Sequence, residues 1–195
     1  FLQAVQEKGF LPKDTVTGML LTYRDENGLS NEQLEVIKSG TVDAVADVLL
    51  TAKNMHAESM IKLAVRNLVR FVSSDIWFEK IVQVDKLEAT QMASQKIEAA
   101  KPMELGLVSK DSELLELACI YGKEEFDELD ADAYDAVCEF INCNNGLYAR
   151  SYSTLGNELE LLPPTFGNDV VLEGEIYLLT VRVNNREMAI FVKIG

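Results

Sequence analysis

Two periodicities that no single kind of element can satisfy run through this chain. Over 131–155 the apolar residues Tyr134, Val137, Phe140, Ile141, Tyr148 and Leu155 recur at the spacing of one helix face, each residue turning about 100°. Further on, Glu175 to Val183 and Glu187 to Ile194 alternate between apolar and polar side chains and flank Asn184-Asn185-Arg186, the pattern of a β-hairpin. A chain obeying both has to bury a helix stripe against one face of a sheet, which is the α+β class.

The remaining segments fill in this frame. From Met55 to about Phe78, residues Met60, Ile61, Leu63, Ala64, Leu68, Phe71 and Val72 keep a helical period and predict a second long helix. Met103 to Val108 and Leu114 to Tyr121 read as two strands joined by a polar turn at Ser109-Lys110-Asp111. Ile81 to Ile97 is mixed, with a strand suggested only by Ile81, Val82 and Val84. The expectation for residues 54–195 is two long helices packed on an antiparallel β-sheet. Residues 1–53 read as a helical extension or linker. They contain an internal echo, Gly9 to Val16 against Gly28 to Leu34, in which a glycine closes one element before the next begins. Ser30-Asn31-Glu32-Gln33 is a capping box, so a helix is expected to start near Asn31.

The helix over 131–155 carries Glu139-Phe140-Ile141-Asn142, with Gly146 four residues on. Helical rotation places Asn142, Gly146, Asp132 and Asp135 on the same side as Glu139, away from Val137 and Leu155, so this face is expected to look outward. A carboxylate and a carboxamide one turn apart suit the positioning of a water. Gly146 costs about 1 kcal/mol against alanine inside a helix, and its missing side chain would admit another molecule beside Asn142. The spacing alone is common on helix surfaces, and taken by itself it is better explained by an ordinary solvated face with a tolerated glycine.

After the helix a Gly156-Asn157 turn leads into Glu158 to Phe166, which contains Pro163-Pro164-Thr165. A long helix with E-x-x-N and a glycine four residues after the Asn, followed by a short strand ending in P-P-T, resembles the CheC/CheX family of chemotaxis phosphatases. The resemblance covers roughly residues 54–195. It implies that Glu139 is the carboxylate that engages a partner, Asn142 the amide that orients water, and Pro163, Pro164 and Thr165 a structural segment. The two prolines have a plainer reading as strand terminators, because proline lacks the amide that a ladder needs. Members with two sites carry the motif on both long helices. Here the first holds Glu58-Ser59-Met60-Ile61, where isoleucine cannot orient a water, so the chain looks more like the single-site CheX branch.

Charge narrows the partners. With 32 acidic against 18 basic residues the net charge is −14, which disfavours nucleic acid or an anionic membrane. The densest acidic run, Glu124, Glu125, Asp127, Glu128, Asp130, Asp132 and Asp135, lies at the start of the 131–155 helix, where its dipole favours negative charge. A steering role toward a lysine-bearing partner is the alternative. The acids match no calcium loop, and Cys119, Cys138 and Cys143 show no C-x-x-C spacing, so no metal site is expected and the thiols read as reduced. Cys119 is expected in the core of a strand, and Cys143 partly exposed. His56 is the only histidine, and neither a nucleophile elbow nor a phosphate-binding glycine loop is present. No segment approaches the roughly 20 apolar residues that cross a bilayer, and a cytoplasmic location is the expectation.

The resemblance thus implies a phosphatase acting on the aspartyl phosphate of a CheY-like response regulator. It would need no cofactor of its own, the Mg2+ being expected on the partner. The alternative is a catalytically silent CheX-like docking or dimerisation domain of a signalling protein. A homodimer is compatible with either.

Overall fold

The structure is a computed structural model that describes residues 8–38, 40–111, 113–154 and 158–195. The chain divides into two compact units, Phe1–Leu49 and Leu50–Gly195.

The first unit is helical, with α1 (Lys13–Asn27), α2 (Asn31–Lys38) and α3 (Val42–Leu49). Gly28 ends α1 at φ +63, a left-handed conformation that costs glycine nothing, and its amide reaches back to the last turn. The capping box forms: Ser30 N donates to Gln33 Oε1 at 2.8 Å and Gln33 N to Ser30 Oγ at 3.2 Å.

The second unit holds two long helices, α4 (Met55–Phe71) and α6 (Ala131–Ser153), and a shorter α5 (Glu113–Gly122). Asn54 caps α4, its side chain accepting from the His56 and Ala57 amides. The sheet is antiparallel throughout and consists of β1 (Ile76–Phe78), β2 (Val82–Glu98), β3 (Met103–Ser109), β4 (Glu160–Leu161), β5 (Thr165–Val183) and β6 (Arg186–Ile194). Its order is β1-β5-β6-β3-β2-β4, and β2 and β5 also pair directly, so that β5-β6-β3-β2 closes on itself. The hairpin turn forms at Asn184 and Asn185, both at positive φ, a conformation asparagine tolerates better than most residues.

Strand parity separates two apolar layers. Ala93 and Ile97 of β2, Leu105 and Leu107 of β3, Ile190 and Val192 of β6, and Leu179 and Val181 of β5 are buried on the face that the helices cover. The alternate residues Met92, Val108, Ile176 and Phe191 form a second cluster, which Val84, Leu87, Val170 and Leu172 from the paired lengths of β2 and β5 cover. Gly106 of β3 makes that closure possible. A Cβ there would lie 2.5 Å from Phe191 Cε1 and 2.6 Å from the Ala93 carbonyl oxygen.

Three expectations are corrected. Leu114 to Tyr121 is not a strand but most of α5. Its buried residues Leu114, Leu117 and Ala118 follow the i, i+3, i+4 rule, and Glu113 and Glu116 sit in the first turn, where the dipole favours them. The first long helix stops at Phe71, and Ile76–Phe78 pairs with β5 as an edge strand. The mixed stretch before Ile97 is one continuous strand of 17 residues, whose outer half is exposed on one side and so lacks a long apolar run. Leu155 and the Gly156-Asn157 turn lie outside the described residues.

Candidate functional site

The site is built on α6. Asp130 caps the helix, its carboxylate accepting from Ala133 N at 3.0 Å. Val137, Phe140 and Ile141 are buried against the sheet and neighbouring helices, which sets the rotation of α6 about its axis. With that rotation fixed, Glu139 and Asn142 are exposed, together with Asp132 and Asp135. Gly146 is half-buried one turn beyond Asn142, and a Cβ built on it would meet nothing within 4 Å.

Beneath Asn142 lies Gln95 of β2, 1% exposed and on the helix-covered face of the sheet, in register with Leu105. A primary amide buried there costs about 1–3 kcal/mol unless its hydrogen bonds are made. They are made in full. Gln95 Nε2 donates to Asn142 Oδ1 at 2.9 Å and to the Leu162 carbonyl at 2.8 Å, and its Oε1 accepts from Asn145 Nδ2 at 3.0 Å. Gln95 therefore joins the E-x-x-N helix to the segment that runs into Pro163-Pro164-Thr165. A second link is Tyr134, whose ring stacks on Phe166 at 4.4 Å and 9° and whose hydroxyl donates to Asn168 Oδ1 at 2.9 Å. The prolines separate β4 from β5, as strand terminators would.

On the other flank, Tyr121 of α5 packs edge-on against Phe140 at 5.4 Å. Burial, then the neighbouring Cys143 thiol and the Glu139 carboxylate, push its hydroxyl up to about 12, so a neutral phenol adjoins Glu139 at any physiological pH. Cys143 is half-buried and Cys138 buried, and Cys119 lies half-buried on α5 rather than in a strand. All three are free thiols. The acidic residues Glu124, Glu125, Asp127, Glu128 and Asp130 lead exposed into the N-terminus of α6. Among the described residues no group of three His, Cys, Asp or Glu side chains is placed to hold a metal ion. No helix among them is long and apolar enough to cross a membrane.

Periodicity brought out Glu139, Asn142, Asp135 and Gly146, but not Gln95. The available signal was a glutamine at inward parity beside Ala93 and Ile97. It carries meaning only once 82–98 is known to be one strand.

No protein-family model and no curated protein sequence matches this chain. Solved structures do. The chemotaxis protein CheX from Desulfovibrio desulfuricans superposes with a TM-score of 0.60 at 12% identity, over 73% of this chain and 100% of that one. A CheC-like superfamily protein from Shewanella sp. PV-4 gives 0.61 at 13%, over 73% and 99%. A chain of the CheX–CheY–BeF3–Mg2+ complex from Borrelia burgdorferi gives 0.56 at 15%, over 70% and 96%. Identities this low speak for the backbone arrangement alone, and on that ground the chain has the fold of the CheX and CheC-like chemotaxis proteins.

Proposed function

We propose that this protein is a phosphatase that hydrolyses the aspartyl phosphate of a CheY-like response regulator. The observation that carries the reading is the exposed pair Glu139 and Asn142, one turn apart on α6, with the Asn142 carboxamide held from behind by Gln95. That a protein of this fold occurs in a complex with CheY, BeF3 and Mg2+ supports the choice of partner.

The chemistry asks little of the enzyme. An acyl phosphate expels a carboxylate whose conjugate acid has a pKa of about 3.9, so the main task is to deliver water in line with the bond that breaks. A carboxamide suits this because it makes directional hydrogen bonds without titrating. Asn142 orients the water, while a metal ion bound to the partner balances charge on the phosphoryl oxygens. Glu139 pairs with a lysine of the regulator and sets the distance of Asn142 from phosphorus, an effect of placement rather than of acid-base catalysis. Gly146 leaves room for the partner's surface, and Asp135 continues the acidic face toward it.

The test is phosphate release from a phosphorylated response regulator. Asn142→Ala should lower turnover on the order of 100-fold while keeping the fold, and Glu139→Ala should act mainly on KM. Full turnover in a folded Asn142→Ala protein would sink the mechanism. Binding of the phosphorylated regulator without accelerated release, by the unaltered protein, would favour the docking-domain alternative.

A further inference from the structure

The carboxamide of Asn142 has two unlike arms, and which of them faces a partner decides what it can do there. Its oxygen is engaged: Oδ1 accepts from Gln95 Nε2 at 2.9 Å. Gln95 cannot turn over to reverse this bond. Its second amide proton goes to the Leu162 carbonyl, so a flip would set oxygen against oxygen there; the bond that its own oxygen accepts from Asn145 Nδ2 adds no bar, because Asn145 Oδ1 has no other partner and that side chain could turn as well. Leu162 O is main chain and can only accept. The direction of the whole chain of bonds, Leu162 to Gln95 to Asn142, is therefore fixed by a backbone carbonyl.

The geometry points to Gln95 as the positioning residue of this site, which locks Asn142 with its oxygen inward and makes its Nδ2 the hydrogen-bond donor offered to the partner. This deepens the phosphatase reading and rests on it for its functional consequence. In that reaction Nδ2 donates to one lone pair of the attacking water, and the other forms the new bond to phosphorus as the bond from phosphorus to the regulator's aspartate oxygen breaks; the carboxylate leaves with the bonding pair, and the water's proton passes to the phosphate released. The same bond polarises the carboxamide and strengthens Nδ2 as a donor. Burial of Gln95 keeps solvent from competing for these bonds.

Two measurements separate this orientation from the activity. In the unaltered protein, side-chain amide NMR should show both Gln95 Nε2 protons exchanging slowly with solvent and the Asn142 Nδ2 protons exchanging at rates near those of a free amide. Protected Asn142 protons with freely exchanging Gln95 protons would overturn the inference, whatever the enzyme assay gives. In the phosphate-release assay, Gln95→Met should lower kcat about 10-fold or more with KM little changed, and should add nothing further in an Asn142→Ala background. A folded Gln95→Met protein with unaltered kcat would equally overturn it. If that variant does not fold, the exchange rates of the unaltered protein decide. Full activity in Asn142→Ala would remove the phosphatase reading and leave the orientation to the NMR result.

Discussion

Asn67 of α4 donates through Nδ2 to Oδ1 of Asn144 on α6 at 2.7 Å, a hydrogen bond buried between the two long helices. Both side chains are buried, where an unpaired amide group is costly; Asn144 Nδ2 has no partner, so this bond is what its side chain gains from the contact. Asn67→Ala leaves the Asn144 oxygen without its donor. A loss of about 1–3 kcal/mol is expected in denaturant unfolding, and α6 carries the candidate site, so the exchange protection of its amides should fall with it. Unchanged stability would mean that the bond does not hold the helices.

Gly106 sits where β3 passes beneath Phe191, and a Cβ there would also approach the Ala93 carbonyl within 2.6 Å. A phenyl ring can turn aside, whereas a carbonyl in a sheet ladder cannot. Gly106→Ala should destabilise the second unit by about 1–3 kcal/mol despite the smaller entropy loss of alanine, which thermal unfolding would read. A melting temperature at or above that of the parent protein would refute the close approach.

Gly146 gives the opposite expectation. Apart from its chain neighbours and the backbone of its own helix, nothing lies within 4 Å of a Cβ placed on it, so Gly146→Ala should stabilise α6 by up to about 1 kcal/mol. If the partner approaches at this point, a larger replacement such as Gly146→Leu should weaken its binding while the fold remains intact. Calorimetry of the two variants with a phosphorylated regulator tests both halves, and equal affinities would move the docking surface elsewhere.

Cys138 supplies a pH dependence. Burial first, and then the Asp135 carboxylate, raise its thiol from 9.0 to about 11. The native state thus holds this proton more tightly than the unfolded chain. The corresponding stability is fully present below pH 9 and is lost as pH rises toward 11. Denaturant midpoints should fall over that window in the parent protein and less steeply in Cys138→Ala. Parallel slopes would show that Cys138 titrates alike in both states.

The sequence by itself determined the elements whose signals are local. The E-x-x-N helix, the C-terminal hairpin with its Asn184-Asn185 turn, the capping box at Ser30 and Gln33, and the α+β class all follow from spacing and turn chemistry, which act within a few residues. The outward rotation of Glu139 and Asn142 follows from the same helical period. Only the tertiary structure decided between helix and strand for Leu114 to Tyr121, because a short apolar run satisfies either period until a neighbour covers one face of it. The same holds for the length of β2, whose outer half shows its inward side only when β5 pairs with it. Gln95 is the clearest case. Its meaning depends on Asn142, Asn145 and Leu162, which lie 47, 50 and 67 residues away along the chain and are brought together by the closing sheet and the helix above it. A hydrogen bond has a direction as well as a distance, and no pattern of residue types along one strand records which atom will donate.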